Sequence, residues 1–485
     1  MKRIIACLGC ALLILGLAVV CASAQEAPFG LKDIPEIKNK KPLNTIVETG
    51  LVWDKIMPYI DEFTKKTGVK VNVERVASPV VYSKENVELM AGTGHYDVVY
   101  VETAWTTEWS ASLCKLEDLA AKWDPSGVEG FRKDLANHSP SILICGQAYG
   151  DQMVLPFYTY HMGMFIRQDV FDDPTEQAKF KAKYGYDLKP ATTEKELYDQ
   201  GEFFTRKKGE LLKGKPLGHD LYGLAMMAGA YQINDEISCR IWGKGSDYVT
   251  LVRDASGKLK EFVITKKNKE ALKETLTEYK KELQWGSPGC LTANFDFVVA
   301  QQGEDRAIIQ PHQFSNCFAW TADILKKHVP DGRLGIYPTV GGQPYTGAWS
   351  VGVAKASKNP EAAYWLVRYL ASFKCHEAVM KEGGQLSTRM DVLRDPAWQN
   401  SENRYPFGIL VDYLLDIWPK QAKHVPNYWY FNTKAGGKVY EMQMDVFHKP
   451  MGKEATVDQA VAEAVAKTFE LTSKFDKTVP TREEK

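Results

Sequence analysis

The 485-residue chain has no excess of either charge, with 61 Lys and Arg against 61 Asp and Glu. No long single-sign run breaks that balance, so the electrostatic footprint of a nucleic-acid binder is missing. Complete signatures of catalysis are missing too. "GAWSVG" puts Ser350 one place too late for a nucleophile elbow. "HEAVM" has Met380 where a zinc helix needs its second histidine. "AGTGHYD" lacks both the third glycine of a dinucleotide fingerprint and the lysine of a phosphate loop. No C-x-x-C pair and no D-x-D-x-D-G loop occurs, so neither a zinc ribbon, a redox motif nor an EF-hand is expected. An enzyme is therefore not expected, although nine histidines and many carboxylates leave a dispersed triad or glycosidase pair open. Internal repeats and low-complexity tracts are absent. Cysteine is scarce. Of nine, Cys7, Cys10 and Cys21 lie in the first 25 residues, leaving Cys114, Cys145, Cys239, Cys290, Cys317 and Cys375. In an oxidising compartment these six allow up to three disulfides, and the sequence does not choose their pairing.

What is present begins with "MKRIIACLGCALLILGLAVVCASAQ". Lys2 and Arg3, an apolar run from Ile4 and the small residues Ala22-Ser23-Ala24 form a secretory signal, with cleavage expected after Ala24. An uncleaved anchor is a second reading of the same run. A lipid-anchored start at Cys21 is a third, against which the bulk of Val20 counts. No later apolar stretch is long enough to span a bilayer, so an exported protein is expected.

After an extended, polar 25–41 leader, strand and helix signals alternate. "LNTIVETG" reads as a strand. "LVWDKIMPYIDEFTKKTG" has Ile56, Ile60 and Phe63 at helical spacing and Gly68 as a stop. "VKVNVERV" alternates as a second strand, "SKENVELMAGTG" is a helix and "YDVVYVE" a third strand. That order predicts an α/β layer with a mostly parallel sheet. Further on, Thr193 and Glu196 form a capping box, "YVTLVRDASGKLKEFVIT" a hairpin, and Asn359-Pro360 a helix start. The glycine-rich "GGQPYTGAWSVGVAK" places Trp349 on a loop at the mouth of a strand.

The chain has 12 Trp and 23 Tyr, and several fall in turns rather than periodic core runs: Trp105, Trp109, Tyr158, Tyr160, Trp242, Trp349 and Tyr428-Trp429-Tyr430. Flat rings pack on the C–H faces of sugars and polyols, while carboxylates, amides and arginine bond the hydroxyls. In open α/β sheets, ligands bind outside the carboxyl ends of strands.

The order of these pieces resembles the extracellular solute-binding proteins of ABC importers, in the maltose-binding, sugar-binding family. The matching segments span nearly the whole mature chain: "FTKKTGVKVNVE", "GHYDVVYVETAWTTEWSASLCKLEDL", "YGDQMVLPFYTYHMGMFIRQDVFDDP", "GEDRAIIQPHQFSN" and, most strongly, "GRLGIYPTVGGQPYTGAWSVGVAKASKNPEAAYWLVRYLAS". "GGQLSTRMDVLRDP" also resembles the family, with Thr388 where proline is common.

The resemblance implies an α/β, two-lobed periplasmic-binding-protein-like fold with a ligand cleft between the lobes. The implied divisions are a 1–24 signal peptide, 25–154 and 312–372 in the first lobe, and 155–311 and 373–485 in the second with the C-terminal helices. Hinge closure would trap a neutral carbohydrate or polyol, and the closed form would dock on an ABC permease. Implied ligand contacts are Glu48 and Thr49 beside Gly50, Glu102, Trp105, Tyr158 and Tyr160 on the first side. Asn234, Asp235 and Trp242 are implied on the second, with Gln310 and His312 on the return segment, Trp349, and Arg389 after the glycine pair. No cofactor and no nucleic acid is expected, and a periplasmic monomer is. A sensory module on the same fold, a sugar-phosphate binder and a secreted hydrolase are the competing readings, and the role of calcium is open.

Overall fold

The computed structural model describes residues 28–255, 259–417, 419 and 429–484. The signal segment, with Cys7, Cys10, Cys21 and the expected cleavage site, lies outside the described residues, as does Tyr428.

Nine strands build two main sheets. They are β1 (Leu43–Glu48), β2 (Val71–Val76), β3 (Val98–Glu102), β4 (Val154–Thr159), β5 (Met162–Arg167), β6 (Tyr222–Leu224), β7 (Ala307–Phe314), β8 (Leu334–Tyr337) and β9 (Ala348–Val353). The first sheet has the order β2-β1-β3-β9-β4 and the second β6-β7-β5-β8. β1 runs parallel to β2 and β3, as the alternating strand-helix pattern predicts, and β9 runs antiparallel to β3 and β4.

Helix α1 (Leu51–Thr67) buries Trp53, Ile56, Ile60 and Phe63 on the first sheet. Gly68 ends it in the left-handed conformation, φ 71°, donating its N–H to Thr64 O. Helix α2 (Ser78–Ala91) ends the same way at Gly92. In the second lobe α3 (Ile233–Gly243) follows β6, and its Glu236 accepts from the Met227 N–H of the connecting loop at 2.8 Å. Helix α4 (Pro360–Leu370) follows β9 with Asn359 at its N-cap position, but the Asn359 side chain makes no capping bond. Its Nδ2 donates instead to Asn39 O and Lys41 O, tying down the leader, in which Ile34 and Ile37 are buried. The C-terminal α6 (Gly436–His448) and α7 (Val457–Phe475) pack together on the second lobe, behind α5 (Phe373–Lys381) in sequence. The expected hairpin is present as Thr250–Arg253 against Leu259–Ile264, and Ser256 and Gly257 of its turn lie outside the described residues.

Four expectations need correction. The first crossing comes after Thr159 rather than at 155, because β4 pairs with β9 in the first sheet. The return to the first lobe does not come at 312: β7 runs through Phe314 and β8 through Tyr337, both in the second sheet, so the crossing comes only at 338–347. The first lobe does not end at 372. Helix α5 packs on α1, and Thr159 bridges to Leu386 and His138 to Arg389, so this lobe keeps the chain to Arg389. Trp349 is not on a loop but is the second residue of β9, with Glu102 and Tyr158 as its cross-strand partners. The cysteine question is answered as well: all six described cysteines are free, five of them buried.

Candidate functional site

At one edge of the first sheet the ends of β1, β3 and β4 meet the start of the antiparallel β9, and the residues there form one wall. Tyr100 of β3 lies parallel to Trp349 of β9, with ring centroids 4.4 Å apart and planes 6° from coincident. Trp105, just past β3, meets Trp349 edge-on at 5.4 Å and leans on Tyr82 and Trp109. Beneath them Trp53 of α1 packs edge-on against Tyr100 and stacks on Phe157. Geometries of this kind add to the area such rings bury.

Carboxylates sit among these rings. Glu48 at the end of β1 accepts from Tyr158 Oη at 2.6 Å and Tyr100 Oη at 3.0 Å. Glu102 accepts from Tyr160 Oη and, at 2.7 Å, from the Ala104 N–H. Burial, and then the charge of Glu48, hold the Tyr100 and Tyr158 hydroxyls far above the ordinary tyrosine range. Burial also raises the Glu102 carboxyl, against the hydrogen bonds from Tyr160 and the Ala104 N–H. Thr49 is exposed at the rim beside Glu48.

Tyr160 stands on the first chain crossing, and Gly347 stands on the second. Their backbones join through Tyr160 N to Gly347 O at 3.2 Å and Met162 N to Tyr345 O at 2.8 Å. A Cβ on Gly347 would lie 2.2 Å from the Tyr160 ring. The glycine is therefore what lets Tyr160 cross the hinge to reach Glu102. Just before the first crossing, Thr159 N donates to Leu386 O at 3.0 Å, which holds this edge of the first lobe together.

The second lobe answers with α3 and the C-terminal helices. Asp235 accepts from Tyr440 Oη of α6 and from Gln232 Nε2 at 3.1 Å. Burial pushes its pKa up to about 7, opposed by the Tyr440 bond and reinforced by the charge of Glu102 across the cleft. Tyr231 is an exposed member. Desolvation between the lobes, then the charges of Glu102, Asp235 and Glu48, raise its hydroxyl. Trp242 is buried and stacked on Tyr345 at 6.0 Å. Asn234 is 1% exposed, and neither Oδ1 nor Nδ2 has a hydrogen-bond partner. It lines a cavity of about 10 Å³ with Trp242, Tyr430 and Tyr440. At the rim, Lys438 Nζ lies 3.5 Å from Tyr82 Oη, which donates to Glu108 Oε1 at 2.9 Å, so α6 touches the first lobe.

Glu48, Glu102, Trp105, Tyr158, Tyr160, Trp349 and Asp235 thus come together, with Asn234 and Trp242 just behind. Three sequence candidates lie elsewhere. Gln310 is buried in β7, its amide donating to Val298 O and Gln302 Oε1 at 3.0 and 2.9 Å. His312, in the same strand, lies 4.0 Å from Glu236 Oε2 inside the second lobe, and burial lowers its pKa far below the usual histidine value. Both were misplaced because β7 is a central strand rather than a return segment. Arg389 is fully committed, with two bonds to Asp391, one to Asp134 Oδ1 at 3.0 Å and one to Ala371 O. Sequence reasoning missed Tyr100, Tyr345 and Tyr440. The two-residue spacing of Tyr100 and Glu102 puts both on one face of β3, a signal that was available. Tyr440 carries no local signal, since only tertiary packing brings α6 to Asp235.

A larger cavity of about 270 Å³ opens at the opposite end of the first sheet, among Glu88, His95, Tyr96 and Lys355. Its walls come from the first lobe alone, so closure of the two lobes cannot act on it. Among the described residues, no group of three or more His, Cys, Asp or Glu is placed to hold a metal ion.

A model of the family "Bacterial extracellular solute-binding protein" matches residues 54–373. The chain belongs to that family. Solved structures match almost end to end. The maltose-bound MalE3 of T. maritima is 17% identical, with a TM-score of 0.64, over 90% of this chain and 100% of that one. A solute-binding protein of Agrobacterium radiobacter K84 in complex with ribitol is 18% identical, at 0.64 over the same shares. One from Agrobacterium vitis S4 with bound D-mannitol is 19% identical, again at 0.64, over 90% and 100%. At these identities the likeness establishes the two-lobed fold. No curated protein matches the chain.

Proposed function

We propose that this protein is the substrate-capturing component of an ABC importer, holding a carbohydrate or polyol between its lobes. It would be exported by its N-terminal segment, bind as a monomer without a cofactor, and hand its ligand to a membrane permease. The observation that carries the reading is the wall at the strand ends, where the Tyr100–Trp349 stack lies beside Glu48 and Glu102 and faces Asp235 of the other lobe. Aromatic faces suit sugar C–H surfaces, and the carboxylates accept from hydroxyls. A ligand touching both walls is bound more tightly when the lobes are shut, which is what drives closure. The family and the structural neighbours are binding proteins, and this arrangement needs no reaction at the ligand.

The test is a thermal-unfolding screen of the chain from Gln25 onward against mono- and oligosaccharides, polyols and their phosphates. A ligand specific for the folded state contributes about 2.7 kcal/mol at a hundredfold excess over its Kd. A clear rise in Tm with one chemical group supports the reading. A flat response to all of them, with no small molecule released on denaturation, contradicts it.

A further inference from the structure

The lobes also meet at the rim of the cleft, through the C-terminal helix α6, whose residues lie beyond the segment that the family model matches. Helix α6 packs on the first-lobe turns Thr103–Trp105 and Thr106–Trp109. The Trp429–Asn432 turn before it packs on Thr106–Trp109 and on Gln147–Ala148. The helix opens on Gly436 and Gly437, although glycine is a poor helix former and both residues lie inside the helix rather than in a left-handed turn. Close approach accounts for them. A Cβ on Gly436 would lie 2.3 Å from Tyr430 O of its own lobe, and one on Gly437 would lie 3.1 Å from Glu108 Oε2 of the first lobe. Lys438 comes next. Its Nζ lies 3.5 Å from Tyr82 Oη, 5.5 Å from the centre of the Tyr82 ring and 3.4 Å from Glu441 Oε2. Tyr82 in turn donates to Glu108 Oε1 at 2.9 Å. Burial raises the Glu108 carboxyl, opposed by the Tyr82 bond and then by the charge of Lys438. Tyr82 also stacks on Trp109 at 5.5 Å and leans at 5.1 Å on Trp105, which meets Trp349. Two residues past Lys438, Tyr440 donates to Asp235. One turn of α6 thus joins the wall of its own lobe to the aromatic wall of the other.

We propose that Lys438 is a positioning residue for ligand capture: with Gly437 allowing the approach, it latches α6 onto Tyr82 and Glu108, favours the shut arrangement of the lobes and so slows ligand release. An interlobe contact at the rim is lost when the hinge opens, so its free energy counts toward the shut form alone, and affinity rises with the shut population. The latch rests on this geometry, and only its effect on release rests on the binding reading above.

Small-angle X-ray scattering of the chain from Gln25 onward, with no ligand added, reads the separation of the lobes. Gly437→Leu puts a side chain into the approach and replaces a poor helix former with a good one. It should give a larger radius of gyration while Tm stays level or rises, whereas a merely structural role for this turn would lower Tm. Lys438→Met should shift the scattering the same way by less, and Lys438→Arg should match the parent. For a binder found in the screen, Lys438→Met should raise the dissociation rate about threefold with the association rate unchanged. Identical scattering of the parent and Gly437→Leu overturns the latch, whether or not a carbohydrate binds. A shift in Gly437→Leu with none in Lys438→Met overturns the part given to Lys438, and an unchanged dissociation rate overturns its role in release. A shift in both variants, with no carbohydrate or polyol bound in the screen, upholds the latch and overturns the carbohydrate reading alone.

Discussion

The two walls of the cleft are built to different degrees of completion. On the first lobe every carboxylate already has its tyrosine, the rings are stacked, and Trp53 fixes them from below. On the second lobe Asp235 has Tyr440 and Gln232, but the buried Asn234 beside it has no hydrogen-bond partner for its side chain. The first wall is a rigid platform. The second has a small cavity at Asn234 behind it, and a ligand that touches both walls favours the shut form.

The largest expected effect separates scaffold from site. Arg389→Met should lower stability by about 3–5 kcal/mol, because Asp134 and Asp391 lose their shared partner in the interior. Ligand affinity, measured by calorimetry on the fraction that stays folded, should not change, since Arg389 does not reach the cleft. A selective loss of affinity would put Arg389 back in the site. Next, Trp349→Ala removes the platform and should weaken binding by about 1–3 kcal/mol with little loss of Tm beyond that of a half-buried side chain. Gly347→Ala is a finer probe of the same wall. Its methyl displaces the Tyr160 ring from Glu102 and should weaken binding by about 1 kcal/mol or more, while the second wall is untouched. Full affinity in that variant would show that Tyr160 is not part of the platform.

A separate effect, on stability rather than affinity, is a matter of pH. The Asp235 and Glu236 carboxyls, both pushed up to about 7 by burial, bind more protons folded than unfolded. Their contribution to stability is therefore greatest below the unfolded values and falls as pH rises from about 4 to about 7. Denaturant unfolding of the ligand-free protein and of Asp235→Asn across that range should show the variant gaining on the parent as pH increases. A constant difference would mean that Asp235 is not a desolvated acid.

Much of the fold was legible because its signals are local. Gly68 and Gly92 stop α1 and α2, Thr193 caps its helix as the spacing to Glu196 indicates, and the strand-helix-strand order through β3 indicates the parallel layer. The order of motifs carried the family. The lobe boundaries were less legible, because a strand such as β7 reads alike in either sheet and only its pairing with β5 and β6 assigns it. The site divided the same way. Residues at strand ends, Glu48, Glu102, Tyr158 and Trp349, follow from the position of the strands. Arg389 and Gln310 look like ligand contacts until their partners are seen. Tyr345 and Tyr440 reach Asp235 only through long-range packing. The zero net charge of the whole chain also concealed the acidic character of the cleft, since net charge averages over the site and its surroundings.

The central claim is that one ligand is clasped by both walls at once. A double-mutant cycle in ligand affinity between Trp349 on the first lobe and Asp235 on the second tests it most directly, using the best binder from the screen and the variants Trp349→Ala, Asp235→Asn and the pair. The account predicts that each single change weakens binding about fivefold or more and that the double variant loses less than the sum, with a coupling above about 0.5 kcal/mol, because closure fails once either wall is gone. Binding left intact by either single change would contradict it, and so would strictly additive losses.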